Sequence, residues 1–247
     1  MLITSLDNDR IKGYIKLKDR KYRKKTNTFI VEGRHLVLEA YKAGKIIELI
    51  LEKDEVLPLD LPIVYVTNEI ISRISEMETP STVMALCKMD CEEEIKGEKI
   101  LMLDGIQDPG NLGTILRTVD SVGLKQLIVS KGTADAYNPK VVRSTMGAIF
   151  RVKVIEVENL KETIEIIRKN NYNLLVTSLQ TNDSVYDMDY YKKVIVIGNE
   201  ANGVSKEIQD IADNRIKIPM LGKTESLNAS VATGVILYEY VRQKISK

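Results

Sequence analysis

From residue 99 onward, short apolar runs alternate with helical stretches, and this restricts the fold of the 247-residue chain more tightly than any other feature. Runs with the length and composition of buried strands occur at Lys99–Leu103, Gln126–Val129, Val152–Val157, Asn173–Thr177, Val194–Ile197 and Arg215–Ile218. Helical stretches separate them at Leu112–Val122, Pro139–Met146, Leu160–Asn170 and Ser205–Ile211, and a last helix is predicted from about Ser226 to Lys244. Strands alternating with helices form a mostly parallel sheet covered on both faces. Ligands of such sheets collect beyond the carboxyl ends of the strands. Chemistry is therefore expected in the loops after Leu103, Ile197 and Ile218.

The acidic, glycine-containing stretch Asp90–Glu98 has few apolar residues and reads as a linker. Before it, a helical stripe at Gly33–Ala43 and a helix at Glu69–Ser75 alternate with β-rich runs at Ile46–Leu51, Ile63–Val66 and Val83–Cys87. The expectation is a small α/β domain over residues 1–95, followed by a mostly parallel α/β domain over 96–247.

The usage of 44% hydrophobic and 29% charged residues excludes a disordered tail, a collagen-like repeat and a disulfide scaffold. No apolar stretch is long enough to span a membrane, and the N-terminus has no signal-peptide pattern. Two cysteines, Cys87 and Cys91, in so long a chain suggest a reducing cytosolic setting. They cannot make a four-cysteine zinc site, and the single histidine, His35, is distant in sequence, so no metal is expected. The lone histidine also argues against Ser-His-Asp or Cys-His catalysis, and it is read as structural.

Basic and acidic residues nearly balance, with a net charge of +1, but they are unevenly placed. Arg10–Lys25 holds nine cations against Asp19 alone, a net of +8, which leaves about −7 for the rest of the chain. Such a field attracts polyanions, phosphate backbones above all. Lys21, Arg23, Lys24 and Lys25 are the candidate RNA contacts, and Tyr14 and Tyr22 could stack on bases. The alternative is a solvated helix face with both tyrosines packed inward.

The three loops carry the chemistry-bearing residues. The first runs from Leu103 through Pro109-Gly110-Asn111-Leu112-Gly113 into a helix carrying Arg117, with Asn111 suited to cap it. A helix N-terminus beside an arginine can hold phosphate. Gly110-Asn111-Leu112-Gly113 also matches the spacing of the loop with which KH domains clamp RNA. The second is Ile197-Gly198-Asn199-Glu200-Ala201-Asn202-Gly203, where glycine permits close approach of a ligand to the backbone. It is not the GxGxxG dinucleotide fingerprint. The third runs from Ile218-Pro219 to Ser226-Leu227-Asn228-Ala229-Ser230 at the start of the last helix, with Ser226 or Asn228 as its cap.

In this order and spacing, the three loops resemble the three motifs of the SpoU (TrmH-like) family of RNA 2′-O-ribose methyltransferases, over roughly residues 99–247. Phe29-Ile30-Val31-Glu32-Gly33 before a helix is similar to the family's L30e-like substrate-binding domain. The resemblance implies a SPOUT catalytic domain whose C-terminal segment is threaded into a trefoil knot. It implies S-adenosyl-L-methionine as cosubstrate, with Gly198, Asn199, Gly203, Ile218 and Leu227 at the cofactor-contact positions, although Ile218 and Leu227 alone would read as core. It implies Arg117, Asn111, Glu200, Ser226 and Asn228 as the catalytic set, no metal, and a cytoplasmic homodimer whose site is built from both subunits. The substrate implied is structured RNA, ribosomal RNA of the large subunit before tRNA. Family proposals make the arginine matching Arg117 the base, but a guanidinium pKa above roughly 12 favours an orienting role. A non-catalytic RNA-binding protein would need a degenerate site, yet the polar residues are all present. A nucleotide- or nicotinamide-dependent enzyme would need the missing GxGxxG or Walker patterns.

Overall fold

The computed structural model describes residues 2–90, 94–95 and 99–245. Most of the expected linker Asp90–Glu98, including Cys91, lies outside the described residues. In chain order the elements are β1 (Leu2–Ile3), α1 (Asp9–Lys16), α2 (Arg20–Thr26), β2 (Thr28–Glu32), α3 (Arg34–Lys42), β3 (Ile46–Glu52), β4 (Ile63–Val66), α4 (Asn68–Ile74) and β5 (Val83–Lys88). Then come β6 (Lys99–Asp104), α5 (Pro109–Ser121), β7 (Gln126–Ser130), α6 (Pro139–Ser144), β8 (Lys153–Val157), α7 (Leu160–Arg168) and β9 (Asn173–Thr177). The last are β10 (Lys193–Gly198), α8 (Lys206–Gln209), β11 (Asn214–Ile216) and α9 (Ala229–Ile245). Two compact units form: Met1–Cys91 with Asp135–Arg151, and Glu92–Ala134 with Val152–Lys247.

The first unit holds a five-stranded sheet ordered β1-β4-β3-β5-β2, parallel from β1 to β3 and antiparallel from β3 through β5 to β2. Strand β1 is only two residues long, too short for any periodicity to register. The Asp135–Arg151 segment joins this unit although it follows β7 in sequence. It supplies both aromatic neighbours of buried Phe29: Tyr137 at 4.8 Å and Phe150 at 6.1 Å between ring centroids.

The basic run folds as two short helices. Side chains of Asn8 and Asp19 cap α1 and α2. Tyr14 is buried, and its hydroxyl donates to buried Glu48 at 2.5 Å, while Arg10 pairs with the same carboxylate. Burial and the Glu48 carboxylate push the Tyr14 hydroxyl well above its usual range. Tyr14 is therefore packing, not a base-stacking platform. Tyr22 is half-buried, with the Lys16 ammonium 5.9 Å from its ring centroid.

Arg23 corrects the sequence expectation. It is 3% exposed, on the inner face of α2. Its guanidinium pairs with Asp135 and donates to the carbonyls of Leu17 at 2.6 Å and Lys18 at 2.8 Å. A fork so engaged is closed to a phosphate, so Arg23 leaves the RNA-facing set. Lys21, Lys24 and Lys25 are exposed. Arg23→Ala would take the buried guanidinium from two carbonyls and from Asp135, which keeps only the Tyr137 N–H and the more distant Arg20. It is expected to cost about 3 kcal/mol, lowering Tm by about 6–12 °C, read by calorimetry. An unchanged Tm would deny the pair this structural role.

The second unit is a six-stranded sheet, parallel throughout, ordered β11-β9-β10-β6-β7-β8. The chain moves from β6 outward to β7 and β8, then crosses to β9 on the far side of β10. The order thus reverses between β6 and β10, where ligands of open α/β sheets bind. Pairing of Lys193 with Lys99 through Gly198 with Asp104 sets those two strand ends side by side, and with them the first two loops. One face of the sheet buries Met102, Ile128, Leu174, Val176, Val194 and Val196 against Ile164 and Ile167 of α7. Helices α5 and α9 pack on each other.

Of the boundaries that differ from the sequence expectation, three bear on the site. Helix α5 opens at Pro109, because Asp108 caps it by accepting the Asn111 N–H at 2.8 Å and proline suits the first helical position. Gly110–Gly113 is consequently helix, not a KH-type loop. Strand β11 stops at Ile216, since the Lys217 backbone bonds to Asp183 and Val185 instead of β9. Helix α9 starts at Ala229 behind Asn228, whose Oδ1 accepts the Ser230 N–H at 2.9 Å. Among the described residues no helix is long and apolar enough to cross a membrane.

Candidate active site

The three loops meet through a chain of side chains. The Asn228 amide donates to Asn111 Oδ1 at 2.9 Å, and the Asn111 amide donates to Glu200 Oε1 at 2.9 Å. Glu200 Oε2 also takes the Gln107 N–H at 3.4 Å. With Asp108 as the cap, the Asn111 side chain is free for this bridge, so its capping role in the sequence reading gives way to a linking one. Partial burial pushes the Glu200 carboxyl up, but the Asn111 amide and the N–H groups of Glu200, Gln107 and Asp108 outweigh that and hold it below the usual carboxylate range. Glu200 is thus an ionised anchor for the Asn111 amide, and through it for Asn228.

Beneath the chain lies a cavity of about 630 Å³, lined by Gly198–Val204, by Ile218 and Met220, by Glu225–Ala229 and by Thr177–Gln180. All five expected cofactor positions, Gly198, Asn199, Gly203, Ile218 and Leu227, line it, as do Glu200, Ser226 and Asn228. Ile218 and Leu227 are half-buried against this space and not core. The sequence reading missed the wall from Thr177 to Gln180, at the end of β9. That run carries no chemistry-bearing motif, only its place at a strand end.

Each glycine of the second loop serves the loop's own closure. A methyl group at Gly198 would lie 2.0 Å from the Gly203 carbonyl carbon and 2.1 Å from the Val204 nitrogen. Gly203 adopts φ +69°, where a side chain strains the backbone. Asn199 and Gly203 exchange both backbone hydrogen bonds, at 3.0 and 2.9 Å. The Asn199 amide donates to the Gly105 carbonyl at 2.7 Å and its Oδ1 accepts from Ala201 and Asn202. The Asn199 side chain therefore braces the first two loops. Asp104 adds a second brace, accepting the Ser205 N–H at 2.8 Å.

Arg117 stands apart. It is exposed on α5, two turns beyond Asn111, and is not among the residues lining the cavity. Among the described residues no hydrogen bond or ion pair engages it. Its guanidinium is free to meet an anion. His35, on α3, belongs to the first unit. Among the described residues no group of three or more His, Cys, Asp or Glu gathers as for a metal ion.

The comparisons agree with this architecture. The SpoU rRNA methylase family model matches residues 98–238, and the MRM3-like substrate-binding domain model matches residues 8–85. A 23S rRNA (guanosine(2553)-2′-O)-methyltransferase of Bacillus subtilis is 36% identical, covering 96% of this chain and 97% of its own. The SpoU methyltransferase AviRb of Streptomyces viridochromogenes, solved with its cofactor AdoMet, superposes with a TM-score of 0.88 at 27% identity, covering 97% of this chain and 99% of its own. An AdoMet-bound rRNA methyltransferase of Sinorhizobium meliloti superposes with a TM-score of 0.86 at 29% identity, covering 98% of both chains. Fold and site define a methyltransferase of the SPOUT type. The chain belongs to the SpoU rRNA methylase family.

Proposed function

We propose that this protein methylates a ribose 2′-hydroxyl of structured RNA, in large-subunit ribosomal RNA before tRNA, with S-adenosyl-L-methionine as donor. The observation that carries this is the Asn228–Asn111–Glu200 chain joining three strand-end loops at the rim of one cavity. A non-catalytic RNA-binding protein has no use for such an assembly. The ribosomal choice is supported by the Bacillus subtilis relative, which aligns along nearly the whole chain.

The cavity fits the cosubstrate: about 630 Å³ lies within the roughly 300–1,000 Å³ of small-molecule sites. Ile218 and Leu227 offer apolar contact, and the backbone of Gly198–Gly203 offers polar groups. When bound, the cosubstrate supplies an electrophilic methyl on a sulfonium with an uncharged leaving group. The demand on the protein is to orient a weakly acidic hydroxyl while its proton passes to water. Arg117 grips the adjacent phosphate and aims the hydroxyl, and such positioning alone can supply several kcal/mol. Asn111, held by Glu200 and Asn228, sits at the start of the same helix and steadies the ribose, and Ser226 shapes the pocket.

In this reading residues 1–95 act as an L30e-like RNA-binding domain, and 96–247 as a catalytic domain with a trefoil knot. The protein works as a cytoplasmic homodimer. Exposed Val231 and Tyr238 on α9, near small Ala232 and Gly234, support a pairing surface there. Lys21, Lys24 and Lys25 bind phosphates. Reversing all three to Glu is expected to weaken RNA binding in a protein that still folds. The slope of log K against log salt should flatten by about 0.7–0.9 for each phosphate no longer neutralised. An identical slope would make the run a solvated face.

The deciding experiment maps 2′-O-methyl groups in ribosomal and transfer RNA from cells with and without the protein. One ribosomal position is expected to lose its methyl group. Purified protein with labelled S-adenosylmethionine should restore it. No lost position and no transfer in vitro would overturn the reading.

A further inference from the structure

We propose that Ser230 is a positioning residue of this site: it sets the direction of the amide chain that holds Asn111 and Glu200. The proposal rests on the methyl-transfer reading and deepens it. A side-chain amide is nearly symmetric in shape, with an acceptor oxygen on one side and a donor NH₂ on the other. A row of two such amides can point either way unless its ends are fixed.

Here both ends are chemically one-sided. At one end Glu200, ionised, only accepts. At the other, the Ser230 N–H, which can only donate, reaches Asn228 Oδ1 at 2.9 Å, and the Ser230 hydroxyl strengthens that choice by donating to the same oxygen at 2.7 Å. With that oxygen taken, Asn228 Nδ2 faces Asn111 Oδ1, and Asn111 Nδ2 faces the carboxylate. Turning Asn228 over would set its NH₂ against the Ser230 N–H and its oxygen against Asn111 Oδ1. Asn111 would then have to turn as well and present oxygen to an anion. Ser230 does not line the cavity, whereas Asn228 does. It therefore acts through Asn228, and its place in the first turn of α9 gives the hydroxyl a fixed base.

The test uses the full-length protein and five variants: Ser230→Ala, Ser230→Thr, Ser230→Cys, Asn111→Ala and the Asn111→Ala/Ser230→Ala pair. Ser230→Ala is expected to lower kcat about five- to tenfold, the scale of one neutral hydrogen bond, with KM for S-adenosylmethionine unchanged. Ser230→Thr should restore kcat. In the Asn111→Ala background the serine change should add less than about twofold, because the chain is already cut. A wild-type kcat in Ser230→Ala, additive losses, or a change confined to KM would overturn the proposal. Ser230→Cys keeps the size with a weaker donor and should fall between, which covers a folding defect in the alanine variant. Side-chain amide resonances of Asn228 and Asn111 provide a readout without turnover. Both should shift in Ser230→Ala and return in Ser230→Thr. If the wild-type protein methylates no RNA, the functional reading fails, and these resonances alone decide the relay: an unmoved Asn111 signal overturns it.

Discussion

Arg117→Ala is expected to lower methyl transfer by about 100-fold or more while leaving S-adenosylmethionine affinity as it was. The two halves of this expectation have separate causes. Arg117 is exposed, unengaged by any hydrogen bond or ion pair among the described residues, and not part of the cavity lining. Removing it disturbs neither the loops nor the cosubstrate's walls. What would disappear is the planar fork that, in the proposed mechanism, holds a phosphate and aims the neighbouring hydroxyl. Arg117→Lys should recover only part of the rate, since an ammonium keeps the charge without the fork. Single-turnover transfer of labelled methyl groups, beside a calorimetric titration of the cosubstrate, separates the two quantities. A wild-type rate in Arg117→Ala would remove the residue from the mechanism. A weakened affinity would mean that it holds the cosubstrate instead.

Gly198→Ala carries the second large effect, and here the expectation joins stability to binding. The added methyl would meet backbone at 2.0, 2.1 and 2.5 Å, all from Gly203 and Val204. Backbone cannot swing aside as a flexible side chain can. The paired Asn199–Gly203 hydrogen bonds must therefore open, and the cavity wall opens with them. A loss of about 1–3 kcal/mol in stability is expected, with cosubstrate binding weakened at least tenfold. Gly222→Ala, where nothing lies within 4 Å, is the matching control and should leave both unchanged. Thermal unfolding and titration of the two variants settle the point. An intact affinity in Gly198→Ala would show that the loop yields without disturbing the site. The sequence suggested ligand approach as the reason for this glycine. The reason seen is that the loop folds back on its own strand end.

Much of the catalytic half was legible in the sequence because its strands are fully buried. A parallel strand covered on both faces reads as a continuous apolar run, and β6, β9 and β10 stand out for that reason. Glycine, asparagine and acid clustered at three strand ends mark the site, since only loops there escape the hydrophobic pattern. The element ends were less legible. Asp108 and Asn111 are both good caps, and only the folded chain shows that Asp108 takes the helix N–H, which frees Asn111 to bridge two loops.

The local chemistry of each motif, and hence the family, follows from the sequence alone. Charge, by contrast, misleads when read without position. Arg23 counts with its neighbours as one of nine cations, yet helical geometry turns it inward to Asp135, 112 residues along the chain. The same holds for the Asp135–Arg151 segment, which leaves the parallel sheet to cover Phe29. Pairings this far apart leave no periodic trace, because each partner alone is an ordinary polar or aromatic residue. The chain from Ser230 to Glu200 is of this kind as well. Its four residues come from the start of α5, the loop after β10 and the start of α9, and what makes them one unit is the side-by-side register of β6 and β10 with α9 returning beside them, which only the tertiary structure decides.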